Sequence, residues 1–64
     1  MSASAPEPRI LVVDDEKAIR RFLKTTLVSE KFTVAEASSG REALDALSAF
    51  RPDLVVLDLG LPDM

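Results

Sequence analysis

The sequence predicts an α/β fold in which a parallel three-stranded sheet of order 2-1-3 carries one helix on each face. Three observations predict it. Two aliphatic runs, ILVV at 10–13 and LVVL at 54–57, each end in aspartate, as expected of strands covered on both faces by helices. Between them, from 17 to 29, apolar residues recur at three- and four-residue steps, the period of an amphipathic helix. A serine at 39 followed by a glutamate at 42 has the spacing of a capping box and marks a second helix start.

Taken in order, residues 1–8, MSASAPEP, are small and polar with two prolines that block regular backbone pairing, and they read as a disordered leader. The domain begins near Arg9. The first strand, 10–13, runs into Asp14 and Asp15. On the helix that follows, Ile19, Phe22, Leu23, Thr26 through its methyl, and Leu27 form the inner stripe. Lys17, Arg20, Arg21 and Lys24 occupy the other side, most simply as a solvated face, with a docking surface for an acidic partner as the alternative. Phe32, Val34 and Ala35 follow, and the β-branched Thr33 and Val34 favour a short second strand over a continued helix. The second helix starts at Ser39, with Ala43, Leu44, Leu47 and Phe50 as its inner face, and Arg51-Pro52 should end it, because the residue before a proline disfavours helical dihedrals. Leu54, Val55, Val56 and Leu57 make the third strand, closed by Asp58, and LGLPDM at 59–64 has the glycine and proline punctuation of a loop. Right-handed crossovers then place the first strand in the middle and the helices on opposite faces.

Composition narrows the chemistry. With 64 residues there is room for one domain, and a chain this short buries only about 60% of its unfolded surface. No cysteine or histidine is present, so disulfides, thiolate or imidazole metal sites and the histidine-based hydrolase plans are excluded. Eight Lys and Arg against eleven Asp and Glu give a net charge of -3, without the basic footprint of a nucleic-acid binder. The aliphatic runs are too short to span a membrane. The leader does not read as a secretion signal, so a cytoplasmic location is the default expectation.

What remains for chemistry is carboxylates. In doubly wound sheets, ligands bind beyond the carboxyl ends of the strands where the strand order reverses. That point lies between the first and third strands, the two that end in aspartates. Asp14, Asp15 and Asp58 would bring three negative charges into one crevice, and like charges at close range either raise a carboxylate's pKa or recruit a cation. Hard oxygen ligands suit magnesium, or less specifically manganese or calcium, and magnesium held by carboxylates typically completes its shell with water and phosphate oxygens. Phosphoryl chemistry is the natural inference. The bland reading of Asp14-Asp15 is a strand-end turn with solvated side chains, and of Asp58 a loop cap; the placement of all three at the switch point favours the functional one. Asp53 and Asp63 take the bland reading, at a strand start and in a turn. Ser39 and Glu42 read as a cap only, and no glycine-rich phosphate loop follows any strand.

RILVVDDE, the helix start from Ser39 to Glu42, and RPDLVVLDLGLPDM together resemble the first half of a bacterial response-regulator receiver domain, over residues 9 to 64. The likeness is nearest to the winged-helix transcription-factor subfamily of two-component signalling. The resemblance implies a truncated flavodoxin-like, CheY-like fold, and the switch-point rule is itself illustrated by this fold, so agreement on that point adds no independent support. It implies that Asp58 is the phosphate acceptor, taking a phosphoryl group from a phosphohistidine on a sensor histidine kinase. It implies further that Asp14 and Asp15 hold Mg2+, with Asp58 and the backbone carbonyl of Gly60 completing the protein ligands. Such a protein is a phosphoacceptor in signalling and transcription regulation rather than an enzyme. The family's hydroxyl residue after the fourth strand, lysine after the fifth, aromatic on the fifth and DNA-binding domain have no counterpart in these 64 residues. The expectation is therefore a truncated chain with retained metal-binding aspartates and impaired phosphorylation. It is also expected to make no contact with nucleic acid.

The third strand raises a second expectation. One of its edges has no successor, and natural proteins pair or blunt such edges. A homodimer in which third strands pair antiparallel into a six-stranded sheet, or a larger oligomer, would cover it. Two function classes thus stand side by side: a phosphoacceptor signalling module, and a non-catalytic module whose main property is self-association.

Overall fold

The computed structural model describes residues 6–57. Its elements are β1 (Arg9–Val13), α1 (Lys17–Ser29), β2 (Thr33–Ala37), α2 (Gly40–Ala49) and β3 (Leu54–Leu57). The strands form one sheet of order β2-β1-β3 and both pairings are parallel, as the β-α-β-α-β order requires. The central strand is the most buried, with Ile10, Leu11, Val12 and Val13 all in the core. Alternation along the strand then sorts the core into two faces. Leu11 and Val13 pack with Ala35, Ala37, Ala43 and Ala46, so α2 covers that face. Glu36, one residue out of phase on β2, meets Arg20 and Lys24 of α1 on the other.

Both helices are rotated from the stripes that hydrophobicity alone suggests. On α1 the half-buried positions are Arg20, Leu23, Lys24 and Leu27, a run at i, i+3, i+4 and i+7. Thr26 is exposed, and Ile19 and Phe22 lie on the flank, with Phe22 68% exposed. The cause is Glu36. A carboxylate on a helix-covered strand needs a counter-charge, and the long stems of Arg20 and Lys24 can lie along the sheet while their heads reach it. The expectation that the cationic residues form a solvated face is corrected at Arg20, whose side chain is 14% exposed, while the Lys24 side chain keeps 45% of its surface in solvent. On α2 the inward positions are Gly40, Ala43 and Ala46, with Phe50 half-buried, whereas Leu44 is 69% exposed and Leu47 is exposed as well. Small residues let this helix approach β1 and β2 closely, and the leucines fall outside the area those two strands can cover.

The turns are built from identifiable bonds. The Ser39 hydroxyl accepts from the Glu42 amide at 3.1 Å, as the spacing predicts. The Glu42 carboxylate reaches one residue further back than in the standard box, accepting from the Ser38 amide at 2.7 Å and the Ser38 hydroxyl at 2.8 Å. At the other end of α2, Arg51 takes a left-handed backbone, φ 55, and its amide bonds the Ala46 carbonyl. The proline does exclude the helical region at Arg51, but the helix closes with a left-handed residue rather than an extended one. Asp53 ties the strand starts together. Its carboxylate accepts from the Arg9 amide at 2.7 Å, and its own amide donates to the Arg9 carbonyl at 2.7 Å. Ahead of β1, the Pro8 carbonyl accepts from Thr33 and Glu7 from the Thr33 hydroxyl; the rest of the expected leader, 1–5, lies outside the described residues.

The Ser38 bonds have a consequence for pH. The backbone amide of Ser38, then its hydroxyl and more weakly the charge of Arg20, hold the Glu42 carboxyl below its ordinary 4.5, against a small opposing effect of burial. An acid whose folded pKa is depressed adds stability that is complete above its unfolded pKa and is lost as pH falls through the folded value. Urea unfolding followed from neutral pH to below 4.5 should therefore show an acid limb that flattens in Glu42→Gln. An unchanged limb would mean that these bonds do not persist in solution.

Neither helix contacts β3 among the described residues. Its four side chains are 37–57% exposed, and among the described residues it pairs with β1 alone. No helix among the described residues is long and apolar enough to cross a membrane.

Candidate functional site

The site forms where β1 ends. Its ladder with β2 closes at Val13 and Ala37, and one further bond, from the Asp14 amide to the Ala37 carbonyl at 3.1 Å, carries the strand geometry into Asp14. The Asp14 carboxylate accepts from the Glu16 amide at 2.9 Å. This is a local turn of the kind aspartate favours. It also serves α1, because Glu16, the residue before the helix, makes no side-chain cap of its own. Of the two readings of Asp14 the turn is observed: one of its oxygens shapes the loop, and among the described residues no hydrogen bond to the other is seen.

Asp14 is half-buried and Asp15 exposed. Neither has a cationic partner among the described residues, where the ion pairs are Arg20–Glu36 and Lys24–Glu36. Two adjacent carboxylates, uncompensated, with oxygen donors only, fit a hard divalent cation by the chemistry of the donor set. Among the described residues no group of three such ligands comes together. The remaining predicted ligands, Asp58 and the carbonyl of Gly60, lie outside the described residues, as does Asp63. On the β3 side, Leu57 stands in register with Val13. Val13 is the last residue of β1 and Leu57 the last described residue of β3, and each is followed in the chain by an aspartate.

Arg20 is the residue that sequence reasoning missed here. Its Nη1 donates to the Asp14 carbonyl at 2.7 Å and its Nε to Glu36 at 3.2 Å, with 14% of the side chain exposed. The signal was Glu36, a charged residue between Ala35 and Ala37 on a strand that the predicted helices should cover.

Comparison with known proteins agrees with this geometry. The chain is 48% identical over 54 residues to the KDP operon transcriptional regulatory protein KdpE of Escherichia coli, covering 84% of this chain and 24% of that protein. In the sequence itself, DDEKAIRRFLKTTL and DLGLPD are the segments that look most like the Kdp-operon regulator. The chain is 50% identical over 54 residues to the response regulator MprA of Mycolicibacterium vanbaalenii, covering 84% of this chain and 23% of that protein. The chain thus spans about a quarter of the length of these relatives. Among solved structures, the chemotaxis response regulator CheY4 of Vibrio cholerae superposes with a TM-score of 0.85 at 34% identity, over 91% of this chain and 48% of that one. The model of the response regulator receiver domain matches residues 10–64, and with the strand order, the paired aspartates after β1 and these relatives in agreement, the chain belongs to the response regulator receiver domain family.

Proposed function

We propose that this receiver domain accepts a phosphoryl group on Asp58 from the phosphohistidine of a sensor histidine kinase, at a Mg2+ site held by Asp14, Asp15, Asp58 and the Gly60 carbonyl. The observation that supports this reading most is the register of β1 and β3, Val13 opposite Leu57, each followed in the chain by aspartate at the switch point of a 2-1-3 sheet. A carboxylate oxygen of Asp58 attacks the phosphorus as the phosphorus–nitrogen bond breaks. The electron pair leaves on the imidazole nitrogen, which takes up a proton, and the product is an acyl phosphate. Bound Mg2+ supplies neutralisation of the charge on the transferred oxygens. Asp14 holds the loop by its bond to Glu16 and presents its second oxygen. Asp15, exposed at the crevice, contributes its full charge. The domain works as a phosphorylation-dependent module of a cytoplasmic signalling protein, and Mn2+ or Ca2+ would compete for the same oxygens.

The test is a Mg2+ titration followed by amide chemical shifts. One unit of ligand charge at about 4 Å contributes on the order of 1–4 kcal/mol between water-like and surface-like dielectrics. Asp15→Asn should therefore weaken Mg2+ binding by about tenfold or more, and Asp14→Asn should do so comparably. Wild-type protein whose loop amides do not respond to millimolar Mg2+ would contradict the reading.

A second reading rests on β3, whose four aliphatic side chains are exposed and whose outer edge is unpaired among the described residues. Two copies joined by antiparallel β3 strands would cover both. Sedimentation at micromolar concentration should then show a dimer, and a well-folded monomer would contradict that reading.

A further inference from the structure

Past the end of the β1–β2 ladder, the Asp14 carbonyl accepts from the Arg20 guanidinium at 2.7 Å. That guanidinium is itself fixed. Its Nε is tied to Glu36 on β2 at 3.2 Å, and the Arg20 amide bonds the Glu16 carbonyl at 3.1 Å. Asp14 is therefore held at three points: its amide by Ala37, its carboxylate by Glu16, and its carbonyl by Arg20. The last of these fixes the plane of the Asp14–Asp15 peptide, and with it the direction from which Asp15 leaves the backbone.

The charge arrangement is equally particular. A cation this close to an acidic doublet would ordinarily pair with a carboxylate. Here the guanidinium is engaged by Glu36 and by a carbonyl, and it makes no ion pair with Asp14 or Asp15. A rigid planar fork makes this possible, because it presents two donors in fixed directions, whereas a lysine offers a single mobile head.

Resting on the reading of Asp14 and Asp15 as cation ligands, we propose that Arg20 is a positioning residue for that site: by gripping the Asp14 carbonyl while anchored to Glu36, it fixes the Asp14–Asp15 peptide in the orientation that a divalent cation needs. The proposal has a sign that a purely electrostatic role does not share. Were Arg20 felt only through its charge, Arg20→Gln would remove a repulsive cation and strengthen Mg2+ binding. As a positioning residue, its loss weakens binding, by the factor of about 10 to 100 typical of groups that orient metal ligands.

The experiment is a Mg2+ titration of wild type, Arg20→Gln, Arg20→Lys, Lys24→Ala and Asp15→Asn, followed by the amide resonances of Asp14, Asp15 and Glu16. Each variant is read at a temperature where urea unfolding shows it fully folded. The expected result is a loss of about tenfold or more in Arg20→Gln. Arg20→Lys should restore little of it, and Lys24→Ala, which removes a cation that touches Glu36 but not Asp14, should stay near wild type. Hydrogen exchange of the Asp15 and Glu16 amides, without metal, should quicken in both Arg20 variants and not in Lys24→Ala. Should Arg20→Gln fail to fold, Arg20→Lys carries the same test through the same exchange and titration readouts. Unchanged or tighter Mg2+ binding in the Arg20 variants, with binding still lost in Asp15→Asn, would overturn the role of Arg20 and leave the cation site standing. No response in wild type would overturn both.

Discussion

Replacement of Asp58 by asparagine is expected to abolish phosphoryl uptake. Incubated with a small phosphodonor such as acetyl phosphate in Mg2+, the wild-type chain should gain one phosphoryl group by intact-mass spectrometry. Asp58→Asn should remain at the level of a Mg2+-free control. An amide has neither the charge nor the available electron pair of a carboxylate, so this change removes the nucleophile with almost no change in shape. Asp14 and Asp15 offer the same functional group but are assigned to the cation. Uptake that survives in Asp58→Asn would show that one of them, or another acid, is the acceptor. Mg2+ binding without any uptake would favour the self-associating module instead.

Leu11→Ala should have the largest effect on stability. Leu11 lies at the centre of β1, between β2 and β3 in the sheet, and is fully buried against Val13, Ala37 and Ala43. Its neighbours on α2 are alanines that cannot extend to fill the space it leaves. A buried Leu→Ala change costs about 2–5 kcal/mol, more where the site cannot collapse. A chain of 64 residues has a total stability of only about 3–10 kcal/mol. The variant should therefore lose most of its cooperative transition in urea. Leu44→Ala, by contrast, alters a side chain that is largely exposed and should shift the midpoint little. Similar losses in both would contradict the packing of α2 through its alanines.

The contrast between those two leucines marks what was legible in the sequence. The bounds of α1 and β3 and the strand order could be read because aliphatic runs, proline and a serine cap are local signals, and local chemistry decides them. Which face of each helix turns inward was less legible. Periodicity counts Leu44 and Leu47 as core because they are large and apolar, but close approach to β1 and β2 selects Gly40, Ala43 and Ala46 by size. It counts Arg20 and Lys24 as surface because they are charged, although Glu36 draws both toward the sheet. In each case a neighbour on another element overrides the pattern, and the periodicity within the helix does not register it.

The proposal for the aspartates rests on a different signal. Asp14 follows the run at 10–13 and Asp58 the run at 54–57, so the strand order places both after neighbouring strands in the sheet. The structure adds that one Asp14 oxygen is already committed to Glu16, a division of labour that the sequence does not state. Arg20 was missed because its role depends on a carbonyl, a group that every residue carries.

The central claim is that the acidic ends of β1 and β3 hold one divalent cation between them. Mn2+, which shares the oxygen preference and octahedral geometry of Mg2+, tests it most directly, because its unpaired electrons broaden nearby amide resonances. At substoichiometric Mn2+, broadening should concentrate at residues 14–16 and 57–60 together, and excess Mg2+ should reverse it. Broadening confined to 14–16, or spread evenly over exposed acids such as Glu30, Asp45 and Asp53, would contradict it.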